Sequence, residues 1–186
     1  APGLYSALAQ RGYFPKEDLK TLRHTGSYLQ GHPDMKHIPG VDMSSGSLGQ
    51  GISAAVGMAI AAKLSGADYR VYTMLGDGEI QEGQVWEASM LAAHKKLDNL
   101  VVIVDNNNLQ IDGAIDEVNS PYPIDKKFEA FNFHVINIDG NDFDQIDAAF
   151  KEARTVKGQP TAIIAKTLKG KGVSYMEGQA GWHGKA

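Results

Sequence analysis

The sequence predicts an α/β fold, a doubly wound and mostly parallel sheet with helices on both faces. Two observations lead to this prediction. Short apolar runs recur along the chain without alternating polar residues, and segments with helical spacing separate them. Strands buried on both faces are typical of parallel sheets, whose connecting helices cover those faces. With 186 residues the chain has the length of about one domain, which can bury a sizeable core.

The N-terminal part is predicted to be helical and then irregular. Leu4, Ala7 and Leu8 have helical spacing, and a second short helix opens at Pro15. Residues 31–51 carry glycine, proline and serine too densely for a regular element, so we expect a long loop of the kind that is usually functional. The chain starts without a methionine, and its first residues already have helical spacing. We therefore also expect that upstream residues are missing.

Helices and strands alternate in the rest of the sequence. Residues 52–64 form a small-residue helix that is apolar on nearly every face and is therefore expected to be buried. The predicted strands are residues 70–75, 99–105, 134–139 and 161–166, and the predicted helices among them are residues 82–94 and 143–155. Parallel sheets of this kind bind ligands at the carboxyl ends of their strands. The glycine-rich tail, residues 169–186, is expected to lie over the surface.

The composition excludes several classes of protein. A net charge of -4 provides no basic field for nucleic acid, and no apolar run approaches the ~18 residues that a membrane span needs. The absence of cysteine excludes disulfides, thiolate metal sites and a thiol nucleophile. The N-terminus carries no export signal, so a cytoplasmic location is the default expectation.

Two predicted strand ends carry polar residues that a core does not require. Asp77 follows one strand between Gly76 and Gly78, and three asparagines, residues 106–108, follow the next. The carboxyl ends of neighbouring parallel strands lie side by side, so Asp77 and Asn107 can meet. A carboxylate and an amide oxygen suit Mg²⁺, which often takes further ligands from a diphosphate, and glycines let backbone N–H groups approach that diphosphate. Either motif alone is also compatible with a simple turn.

These motifs resemble those of a known enzyme family. Gly-Asp-Gly followed about thirty residues later by two asparagines resembles the thiamine diphosphate fingerprint. The segments HPDMKHIPGVDMSSGSLGQG, GDGEIQEGQVWEA, LQIDG and GWHGKA are similar to the cofactor-diphosphate domain of transketolases, over essentially the whole chain. The resemblance implies transfer of a two-carbon ketol unit from a ketose phosphate, such as xylulose 5-phosphate, to an aldose phosphate, such as ribose 5-phosphate. It also implies thiamine diphosphate and Mg²⁺, for which Ca²⁺ or Mn²⁺ can substitute.

Matching the motifs residue by residue implies a metal site. The resemblance assigns the cation to Asp77, Asn107 and the main-chain carbonyl of Leu109. Asn106 is the alternative to Asn107, because Asn108 stands where the family usually has the glycine that follows the ligand. Asparagine is among the residues best able to adopt a positive φ, so the substitution is tolerable.

The same matching implies positions around the cofactor and the substrate. Gly46 and Leu48 correspond to the segment that holds the aminopyrimidine, and Ile111 to a residue near the thiazolium. The resemblance implies catalytic roles near the reacting centre and the diphosphate for His32 and His183, with Gly76 and Gly78 as diphosphate neighbours. It places Glu82 and Glu87 where the family has carboxylates at the contact between subunits, although a solvated first helical turn is a plausible alternative for either one alone.

The resemblance also implies that residues 1–186 form one domain, which binds the cofactor diphosphate and Mg²⁺ and is truncated at its N-terminus. Such a domain is incomplete as a catalyst. The family's activating glutamate belongs to a separate pyrimidine-binding domain. We therefore expect either a fragment of a full-length enzyme or a split enzyme, in which this chain is the N-terminal subunit, its partner is a C-terminal subunit, and two such pairs form a dimer. The alternatives are 1-deoxyxylulose 5-phosphate synthase, the E1 subunit of a 2-oxoacid dehydrogenase, or a non-catalytic assembly module of the same fold.

Overall fold

The computed structural model describes residues 1–184. Lys185 and Ala186, the end of the GWHGKA motif, lie outside the described residues. The chain, which the sequence predicts to be one domain, forms two compact units, residues 1–47 and a larger unit that begins at Leu48.

The first unit consists of helix α1, Pro2–Gln10, a 3-10 helix, Lys16–Thr21, and an irregular segment up to residue 47. Proline in the first turn of α1 suits a position whose N–H has no helical partner. Buried Tyr5 donates its hydroxyl to the carbonyl of Gln30 at 2.7 Å, which ties the irregular segment to the helix. The core of this unit consists of Tyr5, Leu8, Ala9, Phe14, Leu29, Ile38 and Val41.

The second unit contains the alternating helices and strands that the sequence predicts. Its helices are α2, Gln50–Ser65; α3, Gly83–His94; α4, Ile115–Asn119; α5, Ile124–Ala130; and α6, Phe143–Thr155. Its strands are β1, Val71–Gly76; β2, Leu100–Asn106; β3, Leu109–Gln110; β4, Gly113–Ala114; β5, His134–Asp139; and β6, Thr161–Lys166. Short 3-10 helices occupy Glu79–Gln81 and Ala180–Trp182.

Four strands form one parallel sheet in the order β1-β2-β6-β5. One face packs against α2, α3 and α5 in a core that includes Ile52, Leu75, Val102, Phe128 and Ile164. The other face packs Val101 and Ile163 against α6. The prediction of a doubly wound α/β sheet with helices on both faces is confirmed. No helix within residues 1–184 is long and apolar enough to cross a bilayer.

The sequence missed the region between β2 and β5. Strands β3 and β4 form a two-residue antiparallel hairpin, with Leu109 opposite Ala114 and Gln110 opposite Gly113. Helices α4 and α5 follow it, and α5 buries only Ile124 and Phe128. Elements this short contain too few apolar positions to establish a period, which is why sequence periodicity does not reveal them.

Candidate functional site

The pairing of β1 with β2 brings the two polar motifs together. The strands are parallel neighbours with Gly76 opposite Asp105, so Asp77 and Asn106 come next at the same edge of the sheet. The backbone N–H of Asp77 donates to the carbonyl of Asp105 at 3.2 Å, which extends the ladder by one bond. Asp77 itself is buried, with 1% of its surface exposed. A carboxylate therefore sits below the surface at the edge where parallel sheets bind ligands.

Asp77 accepts hydrogen bonds on both oxygens. Oδ1 accepts from the backbone N–H of Gly78 at 2.9 Å. Oδ2 accepts from the backbone N–H of Asn108 at 2.6 Å and from the amide Nδ2 of Asn106 at 3.1 Å. The ion pairs among residues 1–184 do not include Asp77. A buried carboxylate without a cationic side chain suits a site that a cation completes.

Asn106 acts as a donor in this arrangement. An ionised carboxylate only accepts hydrogen bonds, so the nitrogen of the amide must face Asp77. The same nitrogen lies 2.6 Å from the hydroxyl of Tyr122. Asn106 therefore connects Asp77 to Tyr122 and holds the carboxylate in place, and this role differs from that of an oxygen ligand.

The side chain of Asn107 makes a bond within its own turn. Its Oδ1 accepts from the backbone N–H of Leu109 at 3.1 Å, a local bond that fixes the turn into β3. An amide oxygen has a second lone pair, which can serve a metal. Asn107 also lines a cavity of about 400 Å³ at the carboxyl ends of β2, β5 and β6, together with Asp105, Thr167 and Lys169. Asn107 thus lies at this cavity, whereas the amide of Asn106 turns its nitrogen to Asp77.

The backbone conformation of Asn108 explains why asparagine can stand where the family usually has glycine. Its φ is 62°, in the left-handed region that glycine and asparagine tolerate best. This backbone conformation aims its N–H at Asp77. The chain thus keeps the conformation that a glycine provides, with a residue that can adopt it.

We expect Asn108→Val to lower the free energy of unfolding by about 1 to 2 kcal/mol, because a β-branched residue is strained at positive φ. Asn108→Gly should stay within about 0.5 kcal/mol of the natural protein, since Asn108 is exposed and its bond to Asp77 uses the backbone. Urea denaturation of both variants measures the difference. A valine variant as stable as the glycine variant would contradict this account of the turn.

Close approach explains Gly78. A Cβ atom at this position would lie 3.2 Å from Oε1 of Gln110, which also accepts from Gln81 Nε2 at 2.9 Å. A side chain here would crowd the side chain of Gln110, which would have to shift by a few tenths of an ångström. Gly78 therefore allows the two segments to meet.

Other sequence-predicted residues of the second unit are exposed. Ile111 at the hairpin is 69% exposed and Leu48 just before α2 is 60% exposed, although both are apolar. Glu82 immediately precedes α3 and Glu87 lies within it, and both are exposed. Both apolar side chains are therefore accessible to a bound ligand or another chain.

The first unit contains His32 and Gly46, which lie in contact. Gly46 has a φ of 134°, and a Cβ there would lie 2.4 Å from Cγ of His32. The bare backbone of Gly46 thus packs against the imidazole ring. Only glycine fits this conformation and this distance.

Asp34 orders the loop that follows His32. Its carboxylate accepts from the backbone N–H of Lys36 at 2.9 Å and lies 2.6 Å from Nδ1 of His37, and the hydroxyl of Ser44 donates to it at 3.1 Å. These contacts, the Lys36 bond first, hold the pKa of Asp34 below its ordinary value. The predicted long loop is therefore cross-linked by hydrogen bonds.

His183 lies in the tail directly after the 3-10 helix Ala180–Trp182. Partial burial, with the positive charge of Lys169 as a second cause, lowers the pKa of His183 below its ordinary value. Trp182 donates its indole N–H to the carbonyl of Tyr175 at 3.0 Å, and the two aromatic rings pack edge to face. These contacts fold the tail back on itself. At neutral pH the imidazole is mainly neutral, the form that can accept a proton.

We expect an NMR titration to give His183 a pKa below the ordinary value of about 6.5, and Lys169→Met to raise it. A depressed pKa in the folded state means that stability is full above pH ~6.5 and declines as the pH falls from there through the folded pKa. His183→Gln identifies the resonance. A pKa at or above 6.5, or one that Lys169→Met leaves unchanged, would contradict this placement of the tail.

Three residues that contact this edge were not predicted from the sequence. Tyr122 belongs to no recognisable pattern, since its partner Asn106 is 16 positions away. Gln110 lies in a two-residue strand without periodicity. Glu79 had a weak signal, because an acidic residue three positions after Gly76 can reach back to a backbone N–H.

Comparison with known proteins places these motifs in context. Residues 3–186 match the family described as "Transketolase, thiamine diphosphate binding domain". The 6-deoxy-6-sulfo-D-fructose transketolase subunit SqwG of Clostridium sp. (strain MSTE9) is 47% identical over 182 residues, which cover 98% of this chain and 66% of that protein. One of the subunits of the apulose-4-phosphate transketolase of Actinobacillus succinogenes is 44% identical over 185 residues, which cover 100% of this chain and 67% of that protein.

A solved structure agrees in fold. Transketolase from Campylobacter jejuni superimposes with a TM-score of 0.88 at 39% identity, over 95% of this chain and 29% of that chain. The chain thus spans about two thirds of the length of the two bacterial subunits and less than a third of the Campylobacter protein.

Proposed function

The chain belongs to the transketolase family, and from this premise we propose that it binds the diphosphate end of thiamine diphosphate through a divalent cation, as part of an enzyme that transfers a two-carbon ketol unit. The observation that carries the proposal is Asp77, a buried carboxylate held by three N–H donors and paired with no cationic side chain among residues 1–184. Mg²⁺ is the proposed cation, because it prefers oxygen ligands and commonly shares them with a diphosphate.

The donor set supports this cation. No group of three His, Cys, Asp or Glu side chains suited to a metal occurs in the described part of the chain, so a site here must use amide and carbonyl oxygens as well. Asp77, Asn107 and the main-chain carbonyl of Leu109 would hold the cation. Asn106 and the backbone of Asn108 would fix the direction of the Asp77 carboxylate.

Residues around this edge would orient the rest of the cofactor. The backbones of Gly76 and Gly78 would flank the diphosphate, and exposed Ile111 would cover the thiazolium. Gly46 and Leu48 would hold the aminopyrimidine. When bound, thiamine diphosphate supplies the nucleophilic carbon that breaks the bond next to a ketose carbonyl.

The two histidines suit proton movement near the substrate and the diphosphate. The ring of His32 is positioned by the backbone of Gly46, as the 2.4 Å approach of a virtual Cβ indicates. His183 has a lowered pKa, which favours the neutral form that can accept a proton. We assign His32 to the substrate and His183 to the diphosphate neighbourhood.

The names of the relatives suggest the substrate class. One relative is named for 6-deoxy-6-sulfo-D-fructose and another for apulose-4-phosphate. Both names describe sugars with a terminal anionic group, as does xylulose 5-phosphate. We propose a donor ketose with a terminal phosphate or sulfonate, and an aldose acceptor of the same kind.

A partner is proposed as well. Both of these relatives are named as subunits. We propose that a second polypeptide with the pyrimidine-binding domain completes the site, and that exposed Glu82 and Glu87 contact it or a second copy.

We expect no ketol transfer by this chain alone and transfer when the chain is combined with its partner, measured by coupled assay with xylulose 5-phosphate or 6-deoxy-6-sulfo-D-fructose as donor. Calorimetry with thiamine diphosphate and Mg²⁺ on the same pair tests binding. Turnover without the partner would refute the need for it. A pair that binds no cofactor would refute the proposed function and favour an assembly module, and condensation of pyruvate with glyceraldehyde 3-phosphate would favour a deoxyxylulose phosphate synthase.

A further inference from the structure

Glu79 links two segments that are far apart in the sequence. Its Oε1 accepts from the backbone N–H of Gly49 at 3.0 Å, and its Oε2 accepts from the backbone N–H of Gly76 at 3.0 Å. Gly49 immediately follows Leu48 and caps helix α2, while Gly76 ends β1 and immediately precedes Asp77. One carboxylate thus joins two glycine-containing segments that lead to different parts of the proposed cofactor site.

Neither backbone donor has an obvious alternative acceptor. Gly49 is buried and is the N-cap residue of α2, so its N–H has no acceptor within the helix. Gly76 belongs to β1, an edge strand of the four-stranded sheet among the described residues, and its N–H turns to Glu79. Buried backbone donors need partners, and bonds to a carboxylate are stronger than bonds to a neutral oxygen.

Close packing also limits the space next to Glu79. A Cβ at Gly49 would lie 2.8 Å from Cβ of Glu82, so the segment before α2 packs directly on the turn after the 3-10 helix Glu79–Gln81. The backbone N–H of Glu82 donates to the carbonyl of Glu79 at 3.0 Å, which fixes the turn from which the Glu79 side chain extends. The segment before α2 and the turn that carries Glu79 are therefore both fixed next to the Glu79 carboxylate.

We propose that Glu79 is a positioning residue that holds the Leu48–Gly49 segment and the Gly76–Asp77 turn at a fixed separation, so that both ends of thiamine diphosphate are recognised together. This inference rests on the proposed function. Glu79 contacts neither cation nor cofactor in this account and acts through the two glycines. Loss of Glu79 should therefore weaken binding of the whole cofactor more than it weakens binding of a ligand that occupies only the Asp77 end.

The test compares Glu79→Gln and Glu79→Ala in the complete enzyme with its partner polypeptide. Glutamine retains one acceptor oxygen and loses one of the two bonds, whereas alanine loses both. Hydrogen exchange at the amides of Gly49 and Gly76, measured without cofactor, should accelerate about 10-fold or more in the alanine variant. The dissociation constant for thiamine diphosphate with Mg²⁺ should rise about 10- to 100-fold, the range seen when partners of ligating groups are removed, with glutamine intermediate.

Inorganic diphosphate with Mg²⁺ distinguishes positioning from a general loss of structure. Its affinity should fall less than that of thiamine diphosphate in Glu79→Ala, because it engages only the Asp77 end. Glu129→Ala is the matched control, since Glu129 is exposed on α5 and pairs with exposed Lys126 at 2.9 Å. This control should change neither exchange nor affinity.

The outcomes separate the inference from the function beneath it. If the natural enzyme binds thiamine diphosphate and Glu79→Ala binds it equally well, the inference is wrong and the proposed function stands. An equal fall in affinity for both ligands, or unchanged exchange at Gly49 and Gly76, would also overturn the inference. If the natural enzyme binds no thiamine diphosphate, the proposed function fails and the inference fails with it.

Discussion

Replacing Asp77 by asparagine is expected to weaken binding of thiamine diphosphate and Mg²⁺ by more than about 100-fold. Removing a partner of a metal ligand costs about 10- to 100-fold in metal affinity, and Asp77 is the proposed ligand itself. It is also the only carboxylate of the proposed ligand set. The asparagine side chain keeps the size of the aspartate while the negative charge that attracts the cation disappears.

Calorimetry on the complete enzyme measures this loss, and the melting temperature with and without cofactor provides a second measurement. The natural enzyme should gain stability when cofactor and Mg²⁺ are added, and Asp77→Asn should gain almost none. Asp147→Asn serves as control, because Asp147 is exposed on α6 and pairs with Lys151 at 2.5 Å on the surface. Cofactor affinity of Asp77→Asn within a few-fold of the control would refute the proposed metal site.

Replacing Gly46 by alanine is expected to lower kcat/KM for ketol transfer by about 100-fold or more. The new Cβ would lie 2.4 Å from Cγ of His32, so the imidazole or the loop must move. A displacement of about 1 Å at a reacting group can cost about 100-fold in rate. The φ of 134° adds backbone strain, because residues with a side chain rarely adopt it.

Gly3→Ala is the control for this change in the same unit. Gly3 lies in α1, and a Cβ there meets no atom within 4 Å. Alanine should therefore leave the rate unchanged and stabilise the helix by up to about 1 kcal/mol. A Gly46→Ala enzyme with unaltered kcat/KM would show that the position of the His32 ring does not matter for transfer.

The sequence predicts the large elements well because their apolar periods are long. The strands at residues 134–139 and 161–166 and the helix at residues 143–155 have the predicted bounds in the structure. The other predicted strands and helices differ by one or two residues at their ends. The parallel pairing of β1 with β2, on which the meeting of Asp77 with the asparagine run depends, is also present.

The finer geometry of the site could not be read from the sequence. Asn106 and Asn107 are chemically identical, and only the contact of Asn106 with Asp77 and Tyr122 distinguishes a donor from a candidate ligand. Glu79 was missed because its two partners are glycine N–H groups, which carry no side-chain signature. Contacts to the backbone depend on how the loops fold in three dimensions, and residue types alone do not specify them.

The asparagine run has a consequence for how this family can vary. Three consecutive asparagines make three different contacts: the Asn106 side chain donates to Asp77, the Asn107 side chain accepts from the backbone of Leu109, and Asn108 donates to Asp77 through its backbone N–H. In a strand, a shift by one residue turns every side chain to the opposite face. A single insertion or deletion in β2 would therefore bring a different residue next to the Asp77 carboxylate, in a sequence of asparagines that reads almost the same. Alignments of such proteins should be anchored on Asp105 and the Ile-Asp-Gly that follows, since matching asparagine to asparagine does not guarantee matching function.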